Sequence, residues 1–176
     1  MIIGVSGKAR SGKDTVCGMI QDYLPNSHRY AFADPIKDAC RVIFGWTDEH
    51  LYGTLKEVED SFFKVSPRKA LQTLGSDWGR DMVNRDLWLL VAQKFCNEHE
   101  HVIIPDIRFQ NEYDWIKNSN GIIIHIERPG IEIESSAHQS ESLGLTKMVD
   151  DYYIVNNRSL DWLRSDVKRI VEDINK

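Results

Sequence analysis

Ile2-Ile-Gly-Val-Ser-Gly-Lys-Ala-Arg-Ser-Gly-Lys-Asp-Thr15 begins with a short apolar run and continues through Gly7, four residues, Gly12 and Lys13. An amphipathic stretch follows, with Val16, Met19, Ile20, Tyr23 and Leu24 on one face. Strand, glycine-rich loop and helix in this order make a phosphate cradle. A polyphosphate needs several backbone N–H groups converging on it, together with the positive end of a helix. Gly7 and Gly12 permit conformations and a close approach that a Cβ would obstruct. Lys13 offers a cation to the β- and γ-phosphate oxygens. Lys8, Arg10 and Ser11 complete the loop.

One position departs from the usual pattern. Asp14 stands where a hydroxyl normally follows the lysine, and the hydroxyl comes one residue later at Thr15. A carboxylate beside phosphates costs electrostatic energy unless magnesium or a basic group offsets it. Asp14 therefore reads as a metal-side or substrate-side group, and Thr15 as a hydroxyl on phosphate or magnesium.

The rest of the chain alternates in the same way. Strands are expected at Ile2 to Ser6, Arg29 to Ala33, His101 to Pro105, Gly121 to Glu127 and Tyr152 to Val155. Helices are expected at Lys13 to Leu24, from Asp34-Pro35 onward, from Ser66-Pro67 to Gly75, and at Leu87 to Asn97, Asn111 to Asn118 and Leu160 to Ile174. Thr47 to Val65 reads as short helix and loop, Gly75 to Asp86 as a loop, and residues 129–148 as a polar mobile lid. Alternating strands and helices with short connections predict an α/β fold with a three-layer parallel sheet. Ligands of such sheets sit beyond the carboxyl ends of the strands.

With 176 residues, 41% hydrophobic and 10% aromatic, the chain suits one domain with an ordinary core. Its net charge of −5 argues against a nucleic-acid partner, and no apolar run reaches membrane length. Cys17, Cys40 and Cys96 show no metal-ligand spacing and read as free thiols of a soluble protein in a reduced compartment.

Several groups could carry chemistry. Asp106 and Arg108 follow the strand Val102-Ile-Ile-Pro, on the rim where the glycine loop also opens. Arg108 can fork onto phosphate oxygens. Arg68 and Lys69 lie at a helix start, where a bound phosphate would offset their cost against the dipole, and Lys37 has similar status. Arg80 and Arg85 are further cations, and Arg128 ends a strand beside the lid. Trp78 and Trp88 flank Gly75 to Asp86, one of them a candidate for stacking on a base. His138, Ser140 and Glu141 read as lid polarity rather than as a catalytic trio.

Taken together, Ser6 to Thr15, Ala33-Asp-Pro-Ile-Lys-Asp38, Arg68-Lys-Ala-Leu-Gln-Thr-Leu-Gly-Ser-Asp77, Ile104-Pro-Asp-Ile-Arg108 with Glu112, and Arg128-Pro-Gly130 resemble the deoxynucleoside monophosphate kinases of tailed bacteriophages. The matches occur in order and span most of the chain. The resemblance implies a nucleoside monophosphate kinase-like P-loop fold that moves the γ-phosphoryl of ATP to a deoxynucleoside 5′-monophosphate with Mg2+, in the host cytoplasm. It implies ATP binding by Arg10, Gly12, Lys13, Asp14 and Thr15. The acceptor side would comprise Lys37, Arg68, Gly75, Ser76, Asp106, Arg108 and Glu112, with Arg85 and Trp88 lining it. Longer members carry an insertion before the segment matching Ser66, so base specificity and a homodimer stay open. Alternatives are a P-loop kinase for another small acceptor (phosphomevalonate or dephospho-coenzyme-A type) and a non-catalytic nucleotide-binding regulator.

Overall fold

Isoleucine-rich runs become strands because β-branched side chains suit a pleated surface covered on both faces. The computed structural model describes residues 1–105, 107–130, 145 and 149–176. In chain order its elements are β1 (Ile2–Gly7), α1 (Lys13–Tyr23), β2 (Ser27–Arg29), α2 (Asp34–Phe44), α3 (Asp48–Leu51), a 3₁₀ turn (Thr54–Glu57), α4 (Pro67–Gln72), a π-helical segment (Thr73–Val83), α5 (Leu87–Glu98), β3 (His101–Ile104), α6 (Gln110–Asn118), β4 (Ile122–Glu127), β5 (Tyr152–Val155) and α7 (Leu160–Ile174). The chain divides into two compact units, residues 1–31 with 95–176, and residues 32–94.

The first unit holds a five-stranded sheet in the order β2-β3-β1-β4-β5, every pairing parallel. Ile3 and Val5 of β1 pack with Val16 and Ile20 of α1 and with Leu163, Val167 and Val171 of α7 on one face. Gly4 turns to the other face. A Cβ there would lie 2.2 Å from Ile107 Cδ1, 2.8 Å from Ile123 Cδ1 and 2.9 Å from Ile116 Cδ1 of α6. Helices on both faces of a parallel sheet make the expected three-layer α/β architecture, with the glycine loop leaving the carboxyl end of the central strand.

A polar anchor joins three elements of this unit. The Asp151 carboxylate, just before β5, is buried and accepts a hydrogen bond from the Tyr113 hydroxyl at 2.6 Å. His125 Nε2 of β4 lies 3.0 Å from the same oxygen, and Lys117 Nζ reaches the other oxygen at 3.2 Å. A buried carboxylate is tolerated only with such partners.

The second strand differs from expectation. It occupies Ser27–Arg29 rather than Arg29 to Ala33, and pairs with His101 to Ile103. Its partner β3 is short and runs into Pro105, which has no N–H to extend a ladder. Tyr30 still donates its N–H to the Ile103 carbonyl at 3.0 Å, but its ring is buried, so its apolar character serves packing rather than pairing.

In the second unit Cys40, Trp46, Leu51 and Ala70 form a small core, with Phe44, Leu71 and Leu74 packed against it. Pro35 lies in the first turn of α2, and Gly45, at φ 67°, ends it. Asp60 organises the poorly patterned stretch before α4. Its carboxylate accepts the N–H groups of Phe63 at 3.0 Å and Phe62 at 2.8 Å, and the Trp46 indole N–H at 2.9 Å.

The stretch Gly75 to Asp86, expected as a loop, is largely helical. After Gln72 the chain widens into π-helical turns as far as Val83. Its glycines do not stop the helix but admit neighbours. The Trp88 indole donates to the Gly75 carbonyl at 2.7 Å, and a Cβ on Gly79 would lie 2.6 Å from the same ring. Trp78 and Trp162 are about half exposed, whereas Trp46 and Trp88 are buried.

Candidate active site

The cradle grows from β1. Gly7, its last residue, pairs with Ile126 of β4, and Gly12, at φ 104°, caps α1 in the left-handed region that glycine favours. Lys13 curls back over the loop, its Nζ donating to the Gly7 carbonyl at 2.8 Å and the Lys8 carbonyl at 2.9 Å. The Ser11 hydroxyl is buried and has no partner among the described residues. A Cβ on Gly7 would stand 2.7 Å from that hydroxyl and 2.5 Å from the Ile126 carbonyl oxygen. A tight glycine cradle, an uncommitted buried hydroxyl, a fixed ammonium and a helix start together suit a polyphosphate.

Asp14 and Thr15 occupy the exposed first turn of α1. The basic group that offsets Asp14 is Arg29 at the end of β2, whose guanidinium pairs with its carboxylate. Among the described residues no cluster of three or more His, Cys, Asp or Glu could hold a metal alone. Magnesium in phosphoryl-transfer sites takes one or two protein oxygens and the substrate's phosphates, so one carboxylate and one hydroxyl beside the cradle fit it.

The loop after β3 is bonded to the strand that carries the cradle. Ile107 donates its N–H to the Val5 carbonyl at 3.1 Å, and the Ser6 hydroxyl donates to the Ile107 carbonyl at 3.3 Å. Glu112, in the first turn of α6, is buried and accepts the N–H groups of Arg108 at 3.0 Å and Phe109 at 3.2 Å. That capping geometry fixes the backbone of Arg108 while leaving the residue exposed. Asp106, His138, Ser140 and Glu141 lie outside the described residues, as do 131–144 and 146–148 of the expected lid. Arg128, just beyond β4, is exposed.

The second unit carries the remaining candidates. Ser66 caps α4 by accepting the Lys69 N–H at 3.3 Å, which sets Arg68 and Lys69 in its first turn. Arg68 pairs with Glu57. Lys37 lies over the Tyr52 ring at 3.9 Å and the same distance from the Asp34 carboxylate. Gly75 is buried and Ser76 half-buried in the π-helical segment, and Arg85 is exposed. Trp88 is buried with its indole N–H committed to Gly75, so its ring serves packing rather than an open surface.

Two residues of the cradle's surroundings escaped the sequence reading. Arg29 gave no local signal. Asn156 stands just past β5, and its side-chain amide donates to the Ser11 carbonyl at 2.8 Å. The rim rule that singled out Asp106 applies equally to Asn156.

This fold and this cradle are those of a P-loop protein. A family model for deoxynucleotide monophosphate kinase matches residues 1–54 and 46–167. A protein of Acanthamoeba polyphaga mimivirus, named for the same activity, is 34% identical over 98% of this chain and 97% of its own length. The deoxynucleoside-5′-monophosphate kinase of Escherichia phage T5 is 25% identical over 68% of this chain and 73% of its own. The chain belongs to the deoxynucleotide monophosphate kinase family. Solved structures agree on the fold: TT1252 from Thermus thermophilus covers 99% of this chain and is covered to 96%, at 17% identity and a TM-score of 0.52. Dephospho-CoA kinase from Campylobacter jejuni covers 98% and is covered to 96%, at 15% identity and a TM-score of 0.51. No helix among the described residues is long and apolar enough to cross a membrane.

Proposed function

We propose that this kinase moves the γ-phosphoryl group of ATP to a deoxynucleoside 5′-monophosphate, giving the diphosphate and ADP, with one catalytic domain whose lid is residues 129–148. The observation that supports it most is the bonding of Ile107 to Val5 and Ser6, because it ties the arginine-bearing loop to the strand that carries the cradle. Gly7, Lys8, Arg10, Ser11, Gly12, Lys13 and Thr15 hold the donor's phosphates. Lys37, Arg68, Lys69, Gly75, Ser76, Arg85, Asp106 and Arg108 serve the acceptor. Glu112 and Trp88 act behind them by fixing backbone.

The mechanism follows from charge. An acceptor phosphate is already largely ionised at neutral pH, since its second pKa is near 6. No strong general base is required. The chain's task is to align two anions and stabilise charge on the oxygens of the moving group, with Lys13, Arg108, Arg128 and Arg68 as the cations and Asp106 as a further catalytic group. When bound, magnesium supplies further neutralisation of phosphate oxygens, and Thr15 and Asp14 are the residues that would hold it. Asp14 is then shared with Arg29, whose charge keeps the carboxylate from repelling the donor.

Incubating the protein with ATP, magnesium and each common nucleoside monophosphate, ribo and deoxy separately, and following ADP release tests this reading. Turnover on deoxynucleotides is expected. ATP binding with no turnover on any nucleotide would overturn it in favour of another small acceptor or of a regulator.

A further inference from the structure

We infer that Asn156 is a positioning residue that sets the orientation of one peptide plane in the phosphate cradle. This rests on the reading of Gly7 to Thr15 as a polyphosphate site.

The Ser11 carbonyl can only accept, so the group facing it at 2.8 Å must be the amide nitrogen of Asn156. Asn156 is itself held in place. Its backbone N–H donates to the Glu127 carbonyl at 2.7 Å, which extends the β4–β5 pairing one residue past the strand. Gly12 completes the arrangement: a Cβ on it would lie 2.6 Å from the same amide nitrogen. Glycine is thus needed at position 12 both for its φ of 104° and for the space that Asn156 fills.

The consequence follows from peptide geometry. The Ser11–Gly12 peptide bond is trans, so the C=O of Ser11 and the N–H of Gly12 point in opposite directions. Drawing the carbonyl toward Asn156 turns the Gly12 N–H away from β5, into the loop. The opposite orientation would aim a carbonyl at phosphate oxygens, where like partial charges repel. A phosphate-binding loop depends on every such donor facing inward. Asn156, 145 residues away in sequence, decides the matter for one of them.

Substitutions separate this role from packing. Asn156→Leu keeps the volume without the donor, and Asn156→Ala removes both; neither adds a charge beside the phosphates. Packing ranks Leu with the wild type and above Ala; orientation of the peptide ranks Leu with Ala. Inorganic tripolyphosphate is the probe, because it has no nucleoside. With calorimetry, Asn156→Leu and Asn156→Ala should each weaken tripolyphosphate binding about 5-fold, as expected for a lost hydrogen bond. ATP binding should fall by the same factors, and KM for the nucleotide acceptor should stay within about 2-fold. Melting curves on each variant give the folded fraction on which the rank order is read.

Asn156→Leu binding tripolyphosphate as tightly as the wild type overturns the inference. So does a loss confined to ATP, which would move Asn156 to the nucleoside. Wild-type protein that binds neither probe would instead overturn the polyphosphate reading, and this inference with it.

Discussion

Replacing Gly7 with alanine separates two reasons for a glycine at the mouth of the cradle. Read as a motif, Gly7 lets phosphate approach, and Gly7→Ala would cost affinity alone. In the structure Gly7 is the last residue of β1, paired with Ile126, and the added Cβ would sit 2.5 Å from the Ile126 carbonyl oxygen. An ordinary contact of this kind begins at 3.4 Å, so β1 and β4 must part by 3.4 − 2.5 = 0.9 Å at that point. Both partners are backbone, and no side-chain rotation relieves the clash. Overpacking of this sort costs about 1–3 kcal/mol. For a chain of this size each kcal/mol lowers Tm by about 2–4 °C, which gives a fall of about 2–12 °C without any ligand. The Cβ would also lie 2.7 Å from the Ser11 hydroxyl, so tripolyphosphate binding should weaken in the same variant. Differential scanning calorimetry of the ligand-free protein is the assay. A Gly7→Ala protein that melts with the wild type would refute the steric reasoning, even if its nucleotide affinity were lost.

Other outcomes follow from the same geometry. Lys13→Ala should lower kcat/KM about 10²–10³-fold, the usual cost of one preorganised charge donor, with an unchanged far-ultraviolet spectrum; near-full turnover would remove Lys13 from the mechanism. Trp88→Phe leaves the buried Gly75 carbonyl without its donor, and should lower stability by about 1–2 kcal/mol in urea unfolding; an unchanged midpoint would show that the hydrogen bond contributes nothing. Asp60 tests pH dependence. The Phe63 N–H first, then the Trp46 indole and the Phe62 N–H, hold its carboxyl below the usual range. Its contribution to stability is therefore complete above the unfolded value of about 4 and is lost as pH falls through the lower folded one. Asn at this position should be destabilising at pH 7 and nearly neutral at the acid end; a gap that widens on acidification contradicts the sign.

Where side chains declare their own surroundings, the sequence was a sufficient guide. The isoleucines of β1, β3 and β4 need cover on both faces, which only a parallel sheet between helices provides. The glycines, Lys13 and the rim loop after β3 announce the cradle for the same reason: local chemistry restricts what they can do. Ser27-His-Arg29 announces nothing, because an edge strand in contact with a single neighbour needs no apolar pattern. Gly75 and Gly79 misled in the other direction. Glycine is an ordinary helix stop, and nothing local reveals an indole 13 residues on that requires the space. Arg29 and Asn156 act only through residues distant in the chain, so their roles exist only once the sheet has formed.

The anchor at Asp151 has an evolutionary corollary. The start of β5 is tied to α6 and β4 through one buried carboxylate, which Tyr113, His125 and Lys117 meet from two other elements. Such a group is costly to alter one member at a time, because any single loss leaves a buried charge or donor short of a partner. These four positions are therefore expected to vary together among descendants rather than singly.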